Sequence, residues 1–364
     1  MDNNESLKVL VVDDTIIYRK IVSDILSEIP DVDVAGTASN GKIALLKIET
    51  LKPHLIILDI EMPEMNGLEV LEHIKKEQLD VGAIILSTLT YEGGEMAISA
   101  LELGAFDFIP KPDSGTAGEN RLIIKEALFR VLKAFRRRQE IKNILKSGQL
   151  PRKKDDTVEK DSKRPPASVK RRNQKSEIIT IGVSTGGPRA LAQMLPMIPR
   201  DIGVPILIVQ HMPPLFTGSL ARSLDIKCAI HVKEAEDGEV IKPGTIFLAP
   251  GGKQMKVAAT ADGHSRVIRI TDDPPENSCK PSVDYLFRSI ASYYVGRATG
   301  IIMTGMGSDG ALGSRQMRES GSVIIAQDEA SCTVFGMPRE VINAGHADII
   351  VPIDQIVEAA INTL

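Results

Sequence analysis

Short apolar runs alternate with amphipathic stretches along most of this chain, and this alternation is the feature that most restricts its fold. In the first third, the candidate strands are 8–12, 32–37, 55–58, 83–86 and 106–109. Between the first two, Ile17, Ile21 and Ile25 recur at helical spacing. Apolar strands separated by helices predict a parallel sheet covered on both faces, which is a doubly wound α/β domain of five βα units.

The composition changes sharply after this first domain. Residues 151–175 include ten basic and four acidic side chains and almost no apolar ones. Such a stretch cannot bury enough surface to offset its ordering entropy, so it predicts a mobile, solvated linker. Its basic run could alternatively bind an acidic partner. We therefore divide the chain into a first domain at 1–138, a charged flexible linker at 139–176 and a second domain at 177–364.

The second domain resumes the same rhythm. Its candidate strands lie in the segments EIITIGVS, VPILIVQ, GTIFLAP, RATGIIMTG and SVIIAQ. A helix is predicted over 188–197. One segment, QMKVAATADGHSRVIRI, has the pattern of an antiparallel hairpin that turns at Asp262 and Gly263. The second domain is therefore predicted to be α/β, with a mostly parallel sheet and an antiparallel hairpin.

Length, charge and cysteine content set broad limits on the class of protein. The 364 residues suit two domains, and the net charge of −4 favours neither a nucleic-acid partner nor a membrane surface. The three cysteines are widely spaced and odd in number, so they do not form a disulfide framework, and a reducing compartment is expected. No apolar run approaches the ~20 residues that a membrane span needs. The expectation is a cytoplasmic protein without direct membrane insertion.

Polar residues follow four of the predicted strands of the first domain. They are Asp13 and Asp14 after the first, Asp59 after the third, Ser87 after the fourth and Lys111 after the fifth. Carboxylates that meet at one sheet edge repel each other unless a cation joins them, and such oxygen ligands suit Mg²⁺. Asp59 could then attack a phosphoryl donor, while Lys111 and Ser87 hold the added oxygens. The alternative is that these aspartates only cap helices.

The second domain contains a candidate nucleophile. The segment GVSTGGP runs from Gly182 to Pro188 between a predicted strand and a predicted helix, and has the form of a nucleophile elbow around Ser184. The positive end of the helix could help to stabilise an oxyanion. By itself, the same glycine-rich turn could instead cradle a phosphate.

A nucleophilic serine needs a base and a group that orients the base. Of the six histidines, His211 is best placed, because it directly follows an apolar strand as Ser184 does. The others are His54 and His73 in the first domain, and His231, His264 and His346 in a strand, a turn and a loop of the second. Asp309 follows another predicted strand in a glycine-rich turn. The three strand ends together predict an acyl-transfer site.

The first domain resembles the receiver domain of bacterial response regulators over residues 8–130, through VLVVDD, LDIEMPEMNG, the Ser-Thr after strand four and the Lys-Pro after strand five. The resemblance implies that a histidine kinase phosphorylates Asp59. It also implies a switch in the positions of Ser87 and Phe108, with Lys111 as a phosphoryl ligand. The implied Mg²⁺ ligands are Asp13, Asp14, Asp59 and the backbone carbonyl of Glu61.

The second domain resembles the chemotaxis protein-glutamate methylesterases of the CheB family over 177–348, through segments such as IGVSTGGPRAL, VQHMPPLFT and TGMGSDGA. The family's triad matches Ser184, His211 and Asp309, and the residue whose backbone N–H serves the oxyanion hole matches Met306. The resemblance implies phosphorylation-activated hydrolysis of glutamate methyl esters, and deamidation of glutamines, on methyl-accepting chemoreceptors. It implies a chemotaxis histidine kinase as phosphodonor and no cofactor at the hydrolase site.

Three points stay open from the sequence. Gln254 stands where many relatives are expected to have His, a difference that could affect substrate preference. The second domain could be a non-catalytic interaction module of a response regulator. It could also be a serine hydrolase that acts on a small ester, or on a protein outside chemotaxis, because the surfaces that select the substrate cannot be identified from these motifs.

Overall fold

The computed structural model describes residues 6–147 and 174–364, with side chains described up to Glu140 in the first of these ranges. The chain separates into two compact units, 1–136 and 137–364. Most of the predicted charged linker, 148–173, lies outside the described residues. Among the helices that the structure describes, none combines the length and the apolar character needed to cross a bilayer.

The first unit is the predicted doubly wound domain. Its strands are β1 (Leu7–Val12), β2 (Val32–Ala38), β3 (Leu55–Asp59), β4 (Gly82–Ser87) and β5 (Asp107–Pro110), and its helices are α1 (Ile16–Ser27), α2 (Gly41–Leu51), α3 (Gly67–Lys76), α4 (Tyr91–Leu103) and α5 (Ala117–Ser147). The sheet is five-stranded with the order β2-β1-β3-β4-β5, and all its pairings are parallel. All five residues of β3 are buried, as expected for a central strand covered on both faces.

Helix α5 extends into the segment that is predicted to be the linker. The linker was predicted to begin at 139, whereas α5 continues to Ser147. The physical reason is that no glycine or proline interrupts the sequence between Ala117 and Ser147, except Gly118 at the start of the helix, and the next helix-breaking residue is Gly148. The first nine positions assigned to the linker, 139–147, are therefore helical.

The second unit is built on a seven-stranded sheet with a separate two-stranded one. Its strands are β6 (Ile178–Val183), β7 (Ile206–Gln210), β8 (His231–Glu234), β9 (Thr245–Leu248), β10 (Gln254–Ala259), β11 (Arg266–Thr271), β12 (Ala298–Ile302), β13 (Val323–Gln327) and β14 (Ile349–Val351). Its helices are α6 (Gly187–Met194), α7 (Phe216–Lys227), α8 (Val283–Tyr293), α9 (Ala311–Glu319), α10 (Met337–Asn343) and α11 (Ile356–Ile361).

The strand order of the large sheet determines where a site can form. The order is β14-β13-β12-β6-β7-β9-β8, and all pairings within it are parallel. The chain starts in the middle at β6, builds one side with β7 to β9, and then returns to build the other side from β12. The order reverses between β6 and β12, which is the place where open α/β sheets bind their ligands, at the carboxyl ends of the strands.

The predicted hairpin is also present. Strands β10 and β11 pair antiparallel from Gln254 opposite Thr271 to Ala259 opposite Arg266. Asp262 and Gly263 lie in the connecting loop, where Gly263 has a φ of +74° and donates its N–H to the carbonyl of Thr260. The core between this hairpin and the large sheet contains Met255, Val257 and Ile268 together with the apolar face of α8.

Candidate active site and phosphoacceptor site

The predicted strand-end residues of the first unit form a compact charged cluster. Asp13, Asp59 and Lys111 are each at most 9% exposed, whereas Asp14 lies at the surface. The Lys111 ammonium nitrogen lies 2.9 Å from Asp13 Oδ2 and 2.7 Å from Asp59 Oδ2. The two buried carboxylates therefore share one cation, the Lys111 ammonium.

The ionisation of Asp59 reflects this environment. Burial raises its pKa, while the nearby Lys111 ammonium lowers it and the charge of Asp13 raises it again, giving a pKa of about 6. At neutral pH the Asp59 carboxylate is still mostly ionised. The ionised carboxylate can therefore act as a nucleophile, and its negative charge still attracts cations.

The other predicted members of this cluster occupy positions around it. The Ser87 hydroxyl is buried and donates to the carbonyl of Gly93 in the first turn of α4, at 2.9 Å. Thr88, the next residue, donates its hydroxyl to the Glu61 carboxylate at 3.2 Å. Phe108 is half-buried on β5. The structure thus links the Ser87 hydroxyl directly to a helix, which is a connection that strand-end position alone does not reveal.

The acidic residues at this edge fit a hard divalent cation. Carboxylate oxygens of Asp13, Asp14 and Asp59 lie within 4.8 Å of one another. Two of these side chains are buried and the third, Asp14, faces solvent, so a cation held here would keep part of its water shell, as Mg²⁺ usually does. The oxygen chemistry and the spacing of these three carboxylates are therefore suitable for binding Mg²⁺.

In the second unit, the sheet register brings Ser184 and His211 together. Val183 at the end of β6 pairs with Gln210 at the end of β7, so the next residue on each strand lies beside the other. The backbone N–H of His211 donates to the carbonyl of Val183 at 3.1 Å. Gln210 strengthens this connection, because its buried amide donates to the carbonyls of both Ser184 and His211 at 3.1 Å.

The turn around Ser184 depends on glycine. Gly186 has a φ of +77°, and a Cβ there would lie 2.4 Å from Thr333. Gly305, which follows β12, lies so close to Ser184 that a Cβ added to Gly305 would be 2.7 Å from Ser184 Cβ. Gly305 therefore lies next to the predicted nucleophile, and Met306, the residue predicted to supply an oxyanion donor, directly follows it in the chain.

His211 and Asp309 form a direct hydrogen bond. The Nε2–H of His211 donates to Asp309 Oδ2 at 2.8 Å. Asp309 is 2% exposed, and the start of α8 surrounds its carboxylate. Its remaining donors are the Ser282 hydroxyl at 2.9 Å, the backbone N–H groups of Val283 at 2.7 Å and Asp284 at 3.1 Å, and the Asn277 amide at 3.1 Å.

These contacts shift both ionisations in the directions that favour a charged pair. Burial opposes the charged form of Asp309, but the hydrogen bond and charge of His211 and the backbone N–H groups at the start of α8 outweigh it, and the pKa falls to about 2. Burial likewise opposes the imidazolium of His211. The hydrogen bond to Asp309 and the contact with Cys279 outweigh it and raise the pKa of His211 to about 9.

The side chains of Ser184 and His211 are less directly connected than those of His211 and Asp309. In the described ranges, 6–147 and 174–364, no hydrogen bond joins the Ser184 hydroxyl to the His211 ring. The ring nitrogen opposite Asp309, Nδ1, instead lies 3.6 Å from Cys279 Sγ. Catalytic hydrogen bonds often tighten only when substrate is bound, so a role for His211 as the base of Ser184 requires the two side chains to come within hydrogen-bond distance.

Several residues of this site were not identified from the sequence. Ser282 has a recognisable signal, since it precedes an apolar helical run and is the N-cap of α8, where its side chain accepts from the backbone N–H of Tyr285. Asn277 and Cys279 have none, because they reach the site through a loop. Gln254 is fully buried, and its amide group binds the carbonyls of Pro274 and Cys279 and the N–H of Ser282. It supports this loop.

The fold and the two sites define a class of protein: a receiver-type domain with an acidic pocket, followed by an α/β domain with a serine, histidine and aspartate at adjacent strand ends. The families that the chain matches agree with this class. Residues 9–121 match the response regulator receiver domain, and residues 179–360 match the CheB methylesterase.

Similar proteins place the whole chain in one family. A protein-glutamate methylesterase/protein-glutamine glutaminase of Desulfotalea psychrophila is 54% identical over 365 residues, with 99% of each chain covered. One of Treponema denticola is 42% identical over 345 residues, with 92% of each covered. The crystal structure of the Thermotoga maritima CheB methylesterase catalytic domain has 40% sequence identity to this chain and a TM-score of 0.51. The match covers 52% of this chain and 99% of that one. This chain belongs to the family of CheB methylesterases with a receiver domain.

Proposed function

We propose that this protein hydrolyses methyl esters of glutamate side chains on chemoreceptors, deamidates glutamines on the same receptors, and is activated by phosphorylation of its receiver domain. The observation that carries the proposal is the His211–Asp309 pair, held by the start of α8 beside the Ser184 turn. The substrate class is supported by the relatives, which are protein-glutamate methylesterases and protein-glutamine glutaminases. The domains are proposed at 1–138 and 177–364, and the location as the cytoplasm.

The catalytic steps follow from the positions of these groups. His211 accepts the proton of Ser184 as its oxygen attacks the ester carbonyl, and the backbone N–H of Met306 stabilises the resulting oxyanion. Asp309 keeps the imidazole oriented and stabilises the imidazolium that forms. His211 then gives the proton to the leaving methoxide. Water next attacks the acyl-serine while His211 accepts a proton from the water, and His211 returns this proton to the Ser184 oxygen as the acid is released. For a glutamine substrate, ammonia leaves in place of methanol.

In the receiver domain, we propose Asp59 as the residue that accepts the phosphoryl group from a chemotaxis histidine kinase. Asp13, Asp14, Asp59 and the backbone carbonyl of Glu61 would hold Mg²⁺, which supplies charge neutralisation for the transferred phosphoryl group. Lys111 already contacts Asp59 and would retain this contact with the phosphoryl oxygens. No cofactor is required by the steps proposed for the hydrolase site.

Ser87 is the proposed link between phosphorylation and a change of structure. Its hydroxyl binds the Gly93 carbonyl in the first turn of α4, so moving it to a phosphoryl oxygen would break a buried hydrogen bond at that helix. Such an exchange would release α4 and allow Phe108 on the neighbouring strand to change position. This transmits the charge at Asp59 to the surface of the receiver domain.

The proposed reaction can be tested by measuring methanol released from methylated chemoreceptor by the full-length protein. We expect release that depends on enzyme concentration, together with ammonia release from receptor glutamines. The matched comparison is a small methyl ester tested at the same ester concentration. Slow release from receptor with fast hydrolysis of the small ester would favour the small-ester hydrolase, and hydrolysis of neither would favour a non-catalytic interaction module.

The pKa of His211 predicts the pH dependence of this reaction. Only neutral His211 can accept the Ser184 proton, and its pKa is raised to about 9, so kcat/KM should rise about tenfold per pH unit from pH 7 and level off near pH 9. The Asp309→Asn variant should level off at lower pH, because the anion that raises the pKa is gone, and at a lower maximum. A profile that is flat or falls between pH 7 and 9 would contradict the assignment of His211.

A further inference from the structure

Cys279 lies at the hydrolase site, and the proposed reaction gives its thiol no role. Its thiol is half-buried and not part of a disulfide, and its Sγ lies 3.6 Å from Nδ1 of His211. Nδ1 is the ring nitrogen opposite the Asp309 hydrogen bond. A soft sulfur donor and an imidazole nitrogen thus face each other at the edge of the predicted active site.

The loop that carries Cys279 holds the thiol in place. Asn277 and Ser278 have φ values of 51° and 61°, and Glu276 and Cys279 exchange backbone hydrogen bonds of 3.1 and 2.7 Å. The Asn277 amide is anchored between Asp309 and Asp284, and buried Gln254 donates to the carbonyl of Cys279 at 3.3 Å. These contacts fix the approach of the sulfur to the ring, so little ordering entropy remains to be lost when a ligand binds both groups.

The separation of the two donor atoms suits a tetrahedral metal ion. Zinc binds sulfur at about 2.3 Å and imidazole nitrogen at about 2.0 Å, so a tetrahedral angle places the two ligand atoms about 3.5 Å apart. The observed distance is 3.6 Å. Histidines that bind metals usually donate their other ring N–H to a carboxylate, which fixes the tautomer. Asp309 accepts such a bond from His211, at 2.8 Å.

We propose that Cys279 and His211 form a binding site for a thiophilic divalent cation such as Zn²⁺, with water in the remaining coordination positions. Binding forms one metal–sulfur and one metal–nitrogen bond. The thiol proton passes to the buffer, together with a ring proton when His211 is an imidazolium, so affinity should rise with pH. The metal occupies the nitrogen that the proposed mechanism needs for Ser184, so it should inhibit hydrolysis. Metal binding itself does not depend on the proposed function, whereas the inhibition does.

The first test uses Cd²⁺ as the probe, because a cadmium–thiolate bond gives a charge-transfer absorption in the ultraviolet. The full-length protein is titrated with Cd²⁺ in excess Mg²⁺, which occupies the carboxylates of the receiver domain. We expect the absorption to saturate at one Cd²⁺ per chain in the wild type, to be lost in Cys279→Ser, and to persist in Cys228→Ser and Cys332→Ser. The His211→Ala variant should bind about 10- to 100-fold more weakly. Absence of the band, or its persistence in Cys279→Ser, would overturn the site.

The second test measures inhibition by Zn²⁺, with each variant normalised to its own metal-free rate of ester hydrolysis. Half-inhibition of the wild type should occur at the Zn²⁺ dissociation constant obtained from the displacement of bound Cd²⁺, after correction for the Cd²⁺ present, and Cys279→Ser should require at least tenfold more Zn²⁺. Displacement of Cd²⁺ without inhibition would overturn the inhibitory role and leave the binding site intact. An absence of hydrolysis in the metal-free wild type would instead refute the proposed function, while the absorption titration still decides the metal site.

Discussion

Replacing Ser184 by alanine is expected to lower kcat/KM for methylated receptor by about 10⁴-fold or more, because the variant has no oxygen nucleophile beside His211. The backbone contacts of Ser184 should survive the change. Its N–H donates to the Thr304 carbonyl and its own carbonyl accepts from Gly187, and neither bond involves the hydroxyl. The loss should therefore appear in turnover with little change in thermal stability.

The control for this prediction is Ser292→Ala. Ser292 is exposed on α8, and its hydroxyl donates to the Arg288 carbonyl one turn earlier, so its loss should leave activity nearly unchanged. A second comparison is His211→Ala, which should cost about as much as Ser184→Ala, with the double variant no worse than either, since the residues act as a unit. Near-normal activity in Ser184→Ala would rule out the serine mechanism.

The second large effect is expected at Asp59. Asp59→Asn keeps the size of the side chain and its place beside Lys111, but replaces the carboxylate nucleophile with a neutral amide. Transfer of a labelled phosphoryl group from a small acyl phosphate in the presence of Mg²⁺ should fall from near-stoichiometric to background. The matched control is Asp33→Asn, because Asp33 is an exposed carboxylate on β2. Labelling that persists in Asp59→Asn would show that the acceptor is another residue.

Much of the architecture could be predicted because it follows from local pattern. Apolar runs identified the five strands of the receiver domain to within one residue at every boundary, and polar residues at their ends identified the acidic cluster. The same reasoning predicted that Ser184 and His211 each follow a strand, and the pairing of Val183 with Gln210 adds that the two strands are neighbours. These features depend on sequence periods of two and about 3.6, which a single sequence displays directly.

The parts that could not be predicted depend on contacts between residues distant in sequence. Nothing near Asp309 indicates that Ser282 and the backbone of α8 hold its carboxylate, because these partners lie 25 to 27 residues earlier in the chain. Cys279 reaches His211 through a loop in which Asn277 and Ser278 adopt left-handed backbone conformations, an arrangement that is uncommon for residues other than glycine. The buried contacts of Gln254 with this loop likewise join residues distant in sequence.

The central claim is that a phosphoryl group on Asp59 controls hydrolysis at Ser184. The most direct measurement is the initial rate of methanol release from methylated receptor by the full-length protein, with and without a small acyl phosphate, at fixed Mg²⁺. A coupling of ordinary size predicts stimulation of roughly 5- to 150-fold in the wild type and none in Asp59→Asn. Equal rates with and without the phosphodonor in a wild-type protein shown to be phosphorylated, or equal stimulation of the Asp59→Asn variant, would contradict the account.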